Sequence, residues 1–372
     1  MGNYIKLFEE FIDIINWNTL KKSTFKMNID YNIAQNHLKA LIYFHLAKLD
    51  SLRDIHSFME SNSGLKSLIK GISLGSLSHY NNNINYEILI PIMNELINTA
   101  LKSITIDEKL KKFGAIKLID SSTISMAITY FKWAKFRSTK AGIKLHTKFD
   151  LAKGVPEQII VSNAKIHDKT KLDELMTEKN AIYIYDKAYI DYKKFDKLDS
   201  NEKQFITRLK DNAIASEVQS LDVTYSETQL LDKETQIIYD KIVYLGNDCN
   251  KTKQKYRIVK VITSEYKELI FLTNNFTLSS EEIAWLYKKR WEIELFFKWI
   301  KQNLKIKRFI GHSLNAVMMQ IITAIITFIM LKLVKDHSNS AYGLLKIRRL
   351  IKYSITELVN KDIFSWALWL GG

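Results

Sequence analysis

Very little in this sequence can cross-link or stiffen it. A single cysteine, Cys249, stands among 372 residues. That excludes an intramolecular disulfide and any cysteine-based zinc cluster, and it suits a reducing cytoplasm. Two prolines (Pro91, Pro156) and 12 glycines leave no Pro- or Gly-rich linker to mark a boundary. Acid is scarce as well: Asp+Glu number 40 against 55 Lys+Arg, a formal net charge of +15 at pH 7. Such a surplus points to a polyanionic partner, either nucleic acid or an anionic membrane surface. Glu9, Glu10 and Asp13 interrupt the first residues, so no continuous apolar signal core is expected there. Long apolar runs are almost missing too. Residues 316–334 approach the about 20 residues of a spanning helix, but Gln320, Thr323, Thr327 and Lys332 break them. With no second run, a buried helix and no membrane partner are expected.

What is present divides the chain by pattern. At 47% hydrophobic residues the chain can bury a sizeable core, and its length suggests two or three domains. Leu7, Phe8, Phe11, Ile12 and Ile15 recur at helical spacing, as do Leu38, Leu41, Ile42, His45 and Leu49. Asp50 or Ser51 can cap a helix running to Met59. Residues 65–70, a break at Gly71, and residues 76–83 with a polar face of Ser76, Ser78, His79 and Asn82 resemble a helix-turn-helix, while an ordinary helical bundle remains open. From Gly114 the pattern becomes α/β. Strands are expected at 115–119, 142–151, 158–162 and 181–185, with a helix at 168–178. Further strands follow at 236–245, 256–262 and 269–273, then one long helix from about Ser280 to Leu304, then helices over 313–370.

Asp120 and Asp186 end two of these apolar strands, where ligand sites of α/β sheets gather. Two carboxylates there can share Mg²⁺ or Mn²⁺, although each can equally begin a turn or cap a helix. On the expected long helix, Tyr287, Arg290, Glu294 and Lys301 fall within an arc of roughly 60° and a stripe about 20 Å long. Trp285, Leu286, Ile293, Phe296, Phe297, Trp299, Ile300 and Leu304 make most of the remaining surface apolar. Charge on so apolar a helix is costly unless it meets metal, partner charge or phosphate. A solvated i,i+4 pair explains Arg290 and Glu294, but not Tyr287 and Lys301 in register.

The spacing Tyr287, Arg290, Glu294, Lys301 resembles the YREK signature of the insertion-sequence-four family of bacterial DDE transposases. Asp120 in Asp-Ser-Ser-Thr and Asp186 in Asp-Lys-Ala-Tyr resemble that family's first two catalytic aspartates, with Lys187 and Ala188 where many members carry Arg and Gly. Residues 131–137 and 144–146 and the pair His167-Asp168 look similar too. The resemblance implies an RNase H-like catalytic core with a mainly β insertion, flanked by N-terminal and C-terminal helical regions. It further implies cut-and-paste chemistry on double-stranded DNA, at transposon ends and target, by a homodimer on DNA in the cytoplasm near the nucleoid. Two ions, Mg²⁺ or Mn²⁺, would be held by Asp120, Asp186 and Glu294, with Tyr287, Arg290 and Lys301 positioning phosphates. A Trp that stacks a flipped base in related insertions has no counterpart here, since all seven Trp lie elsewhere. Tyr225, Tyr239 or Tyr244 would have to serve. A catalytically inactive DNA-binding relative and a structure-specific nuclease are the alternatives.

The expected boundaries are 1–112 (helical, DNA-binding), 113–200 (core), 201–265 (insertion), 266–312 (core with catalytic helix) and 313–372 (helical). Lys132, Lys135 and Arg137, with Lys140, Lys144 and the aromatics Phe131, Trp133 and Phe136, suit a DNA backbone track with stacking. A solvated basic loop over core aromatics is the other reading. His167-Asp168 can reach the active site or cap the helix starting at Asp168, the cap being expected, and Lys346, Arg348, Arg349 and Lys352 are expected to be a solvated face.

Overall fold

The computed structural model describes residues 4–5, 7–70, 72–189, 192–210, 212–338, 341–353 and 359–360. The chain forms two compact units. One is helical, built from Met1–Thr105, Ile124–Gly142 and Phe296–Gly372; the other holds a sheet and comprises Ile106–Thr123 and Ile143–Leu295. Six helices matter below: α1 (Tyr31–Ala47), α2 (Asp168–Leu175), α3 (Ser280–Lys288), α4 (Trp291–Asn303), α5 (Leu314–His337) and α6 (Leu344–Tyr353).

The N-terminal and C-terminal helical stretches, separate in sequence, share the helical unit. Its centre is α5, the apolar run noted above. By length and composition this helix is apolar enough to cross a membrane, yet 89% of its most apolar window is buried inside the protein. Its polar side chains are matched one by one. The Gln320 amide donates to Lys305 O (2.6 Å) and Arg308 O (2.8 Å) and accepts from Ile310 N (2.9 Å). Thr327 donates back to Thr323 O. His45 of α1 is wholly buried, and burial lowers its pKa to about 4. Its neutral ring donates through Nδ1 to Leu304 O (2.6 Å) and meets the Thr323 hydroxyl (2.9 Å). The expected cap at Ser51 forms with a full capping box on Leu52–Ser61. Ser63–Leu68 and Leu74–Asn83 are helices, and the expected break at Gly71 lies outside the described residues. The C-terminal stretch is not helical throughout: Val359–Asn360 pairs antiparallel with Tyr4–Ile5. Residues 354–358 and 361–370 lie outside the described residues.

Nine strands carry the sheet unit: β1 (Ala115–Met126), β2 (Lys140–Asp150), β3 (Val155–Asn163), β4 (Ala181–Tyr185), β5 (Gln204–Arg208), β6 (Ala215–Leu221), β7 (Gln236–Leu245), β8 (Tyr256–Ile262) and β9 (Glu268–Thr273). β1 and β2 each run on into the helical unit at one end. The order is β3-β2-β1-β4-β5-β9-β8-β7-β6. Strands β1, β4 and β5 pair in parallel and β2/β3 form the antiparallel hairpin. This 3-2-1-4-5 order is that of an RNase H-like core. All five residues of β4 are buried, as a parallel central strand requires. Phe205 of β5 stacks on Phe195 at 4.8 Å in the cluster that seals one face.

Two features differ from the sequence reading. β5 falls in the stretch read as insertion, yet it pairs with β4 and completes the core. Beyond it β9, β8, β7 and β6 continue the same sheet by antiparallel pairing. The expected single helix from Ser280 to Leu304 is two. Between α3 and α4 the hydrogen bonds tighten: Arg290 N bonds Tyr287 O (3.0 Å) and Glu292 N bonds Lys289 O (3.0 Å). This i→i+3 pattern rotates the chain at Lys289–Arg290. The single-helix arc drawn through Tyr287, Arg290, Glu294 and Lys301 therefore does not hold.

Candidate active site

The site grows from strand register. Ile119 lies opposite Tyr185 in the parallel β1/β4 pair, so Asp120 and Asp186 follow side by side at neighbouring strands, about 4.8 Å apart in backbone. β1 does not end at Asp120 but continues to Met126. Asp120 is tied down locally: Ser121 N donates to its Oδ1 at 2.8 Å. The third carboxylate, Glu294, comes from the first turn of α4. Arg290, in the helix break, joins the set. Its Nη2 lies 2.6 Å from Glu294 Oε1 and its Nη1 3.7 Å from Asp120 Oδ2. The break serves this geometry, because it turns the guanidinium between two acids.

The charges here do not balance. Burial, then Glu294 and Asp186, push the Asp120 carboxyl up to about 6, against the pull of Ser121 N and Arg290. Burial works against the Arg290 charge, but Tyr287, Glu294 and Asp120 hold the guanidinium firmly protonated. Tyr287 packs on Phe271 at 4.7 Å, and burial pushes its hydroxyl up to about 12, so it keeps its proton near neutrality. Arg208, at the end of β5, is a further cation whose charge reaches Tyr287; the sequence reading missed it.

A second layer stands behind Asp120. Asp168 does not cap its helix by side chain; the N-cap residue is His167, which makes no side-chain cap bond. The Asp168 carboxylate instead accepts from Ser121 Oγ (2.7 Å) and pairs with Lys144 Nζ (3.0 Å). His146 Nδ1 is 3.5 Å away, its ring held neutral by burial, which lowers its pKa to about 4. The buried Tyr189 hydroxyl is raised by burial, then by Asp168 and Asp120. Lys144 and His146, two apart on one strand, face the same side, and that alternation was the available signal. Lys144, read as part of a DNA track, is committed to this layer.

The remaining expected residues lie in the helical unit. Lys301 sits on α4 about two turns beyond Glu294. Lys132, Lys135 and Arg137 are exposed, on a short 3-10 turn and the strand Lys135–Arg137. Their aromatics are less free than expected. Phe131 is buried and Trp133 donates its indole N–H to His312 O at 2.8 Å. In the insertion Tyr225 is exposed, while Tyr239 and Tyr244 lie under Lys241 and Lys251.

Among the described residues no three acid, histidine or thiol side chains converge closely enough to hold a metal ion as they stand. The donor chemistry nevertheless fits a hard divalent cation: the charges of Glu294 and Asp186 reach Asp120, and a guanidinium already lies between Asp120 and Glu294. Arg290 occupies the place where positive charge is wanted.

Comparison with known proteins gives the family of the chain. The family model for the transposase DDE domain matches residues 111–330. A probable transposase for insertion sequence element IS5377 of Geobacillus stearothermophilus is 26% identical over 60% of this chain; the match spans 58% of that relative's length. The putative transposase y4zB of Sinorhizobium fredii is 29% identical over 69% of this chain and 71% of its own. Among solved structures, a piggyBac transposase synaptic complex with hairpin DNA aligns with a TM-score of 0.47 and 12% identity, over 98% of this chain and 80% of that one. With the family model matching more than half of its residues, this chain belongs to the transposase DDE domain family.

Proposed function

We propose that the chain is a DDE transposase that cuts double-stranded DNA at transposon ends and joins the freed 3′-hydroxyl to target DNA. In this reading it works as a homodimer on DNA, in the cytoplasm at the nucleoid, with two Mg²⁺ or Mn²⁺ ions per site. The observation that carries it is that Asp120 and Asp186 each follow the last paired residues, Ile119 and Tyr185, of two adjacent parallel strands, with Glu294 joined to Asp120 through Arg290. Bound divalent ions activate the attacking oxygen and stabilise the leaving one in such sites.

The chain's own side chains divide the remaining work. Asp120, Asp186 and Glu294 would hold the ions. The planar fork of Arg290 would grip a phosphate by two hydrogen bonds. Tyr287, still protonated, donates to a phosphate oxygen, and Lys301 supplies a point charge. Ser121, fixed by Asp168 and Lys144, keeps Asp120 in one orientation, the support that ligating carboxylates commonly need. Lys132, Lys135 and Arg137 line the duplex backbone.

Incubation with a duplex carrying the element's terminal repeats and Mn²⁺ separates the readings. Nicks at the repeat ends followed by strand transfer support transposition. Nicks without strand transfer indicate a structure-specific nuclease, and binding without nicks an inactive relative.

A further inference from the structure

Three segments far apart in sequence gather cations in the helical unit. α1 ends at Lys48, in left-handed conformation (φ 58°). The turn after α4 carries Lys305, Lys307 and Arg308. α6 carries Arg348 and Arg349. Arg348 is the pivot. It is only 5% exposed, its guanidinium donates to Leu46 O at the end of α1, and its Nε is buried without a hydrogen-bond partner. Asp50 answers this charge by pairing with Lys305 at 2.6 Å. Lys48, Arg308 and Arg349 make no ion pair among the described residues.

The cations feel one another. Burial, then Arg348, Lys305 and Arg349, hold the Lys48 amine below its ordinary value. Arg349 likewise helps to lower Arg348, after burial. A fold gains nothing by collecting like charges around a buried arginine, unless an anion completes the site. The exposed face of α6 adds Lys346 over the Tyr342 ring at 3.5 Å, which keeps that cation beside an aromatic plate rather than an acid.

We infer that Lys48, Arg308 and Arg349, gathered about Arg348 and the Lys305–Asp50 pair, form a docking surface for the phosphate backbone of duplex DNA, separate from the carboxylate site of the sheet unit. A regular polyanion suits the patch, because its contacts come from three segments and from fixed and mobile cations together. Binding is sequence-independent and releases condensed counterions.

The test uses the full chain and a random-sequence duplex, with dissociation constants measured across salt concentrations. Arg308 and Arg349 are exposed, so the Arg308→Gln/Arg349→Gln double variant keeps the wild-type melting temperature. A second double variant, Lys179→Gln/Lys253→Gln, removes the same charge from exposed positions of the sheet unit. Each lost phosphate contact flattens the log–log salt slope by about 0.9, so the arginine variant falls about two units shallower and the lysine control does not. Equal slopes in all three proteins overturn the proposal. So does a result in which only binding to phosphatidylserine vesicles is lost, which assigns the patch to a membrane surface. Failure of the wild type to cut end DNA, with the slope difference intact, sinks the transposase reading and leaves this surface standing.

Discussion

Lys117 and Asp120 lie three residues apart on β1, and their surroundings follow opposite rules. Around Lys117 two lysines serve three acids, and every one of the five side chains has a close partner of opposite charge. The Lys117 amine meets Asp150 at 2.8 Å and Glu157 at 2.6 Å, while Lys148 meets Glu157 at 2.9 Å and Glu178 at 2.6 Å. Burial works against the Lys117 charge, yet Asp150 and Glu157 raise its pKa above the ordinary value. Burial likewise opposes the Glu178 charge, but Lys148 and Lys117 lower its pKa. Around Asp120 three acids share one arginine, and the Asp120 carboxyl is pushed up to about 6. At Lys117 the acids are all paired within the protein. At Asp120 burial and two further acids act against a single arginine, the charge pattern that the proposed metal ions would answer.

The largest effect expected from that contrast is on catalysis. Asp120→Asn, Asp186→Asn and Glu294→Gln should each lower end cleavage about a hundredfold or more, because charge stabilisation by metal is worth several kcal/mol. Binding of end DNA should remain, since its affinity comes from many phosphate contacts. Gel assays of nicking and binding on the same proteins separate the two. Near wild-type cleavage by any of them removes that residue from the site.

Next is Lys117→Met, which strands the buried Asp150 and removes one of the two lysines on Glu157. It should cost about 3–5 kcal/mol of stability in denaturant titrations, with cleavage per folded molecule unchanged. A loss of cleavage larger than the loss of folded protein would erase the division between the two charge clusters on β1.

Asp120→Asn should act oppositely on stability. Between pH 4 and 6 folded Asp120 holds a proton that the unfolded chain releases, so its contribution to stability falls as pH rises and is gone above about 6. The shift from 3.8 to about 6 corresponds to about 3 kcal/mol at most, and loss of the Arg290 contact offsets part of it. Melts should show the variant more stable than wild type by about 1–3 kcal/mol at pH 8, a gain that fades toward pH 4. A variant less stable at pH 8 would mean that Asp120 is a structural acid like Asp150.

The smallest effect belongs to Asp168→Asn. Disturbing a support of a ligating carboxylate costs about tenfold or somewhat more, here in cleavage rate at saturating DNA and in the Mn²⁺ concentration needed. A pure stability defect would leave that metal requirement where it was.

The signals behind the candidate site are local. The apolar runs leading into Asp120 and Asp186, and the spacing from Tyr287 to Lys301, can be read residue by residue. What was missed depends on pairing or on one turn. β5 is a short strand whose place in the core is set by β4 beside it. The break at Lys289–Arg290 rests on hydrogen bonds that no periodicity reveals, since an apolar pattern of period 3.6 continues through it. Asp168 stands at a helix start, where capping is the common role, and only the approach of Ser121 and Lys144 gives it another. Arg348 appeared on a basic helix face, and its burial against Leu46 O depends on tertiary packing.

Calorimetric titration of Mn²⁺ without DNA tests the central claim most directly. Wild type and Lys117→Met should both bind the ion, in the proportion of protein that is folded. Asp120→Asn, Asp186→Asn and Glu294→Gln should each bind it much more weakly or not at all. Equal Mn²⁺ affinity in wild type and all three carboxylate variants would show that the charge deficit beside Asp120 is not a metal site.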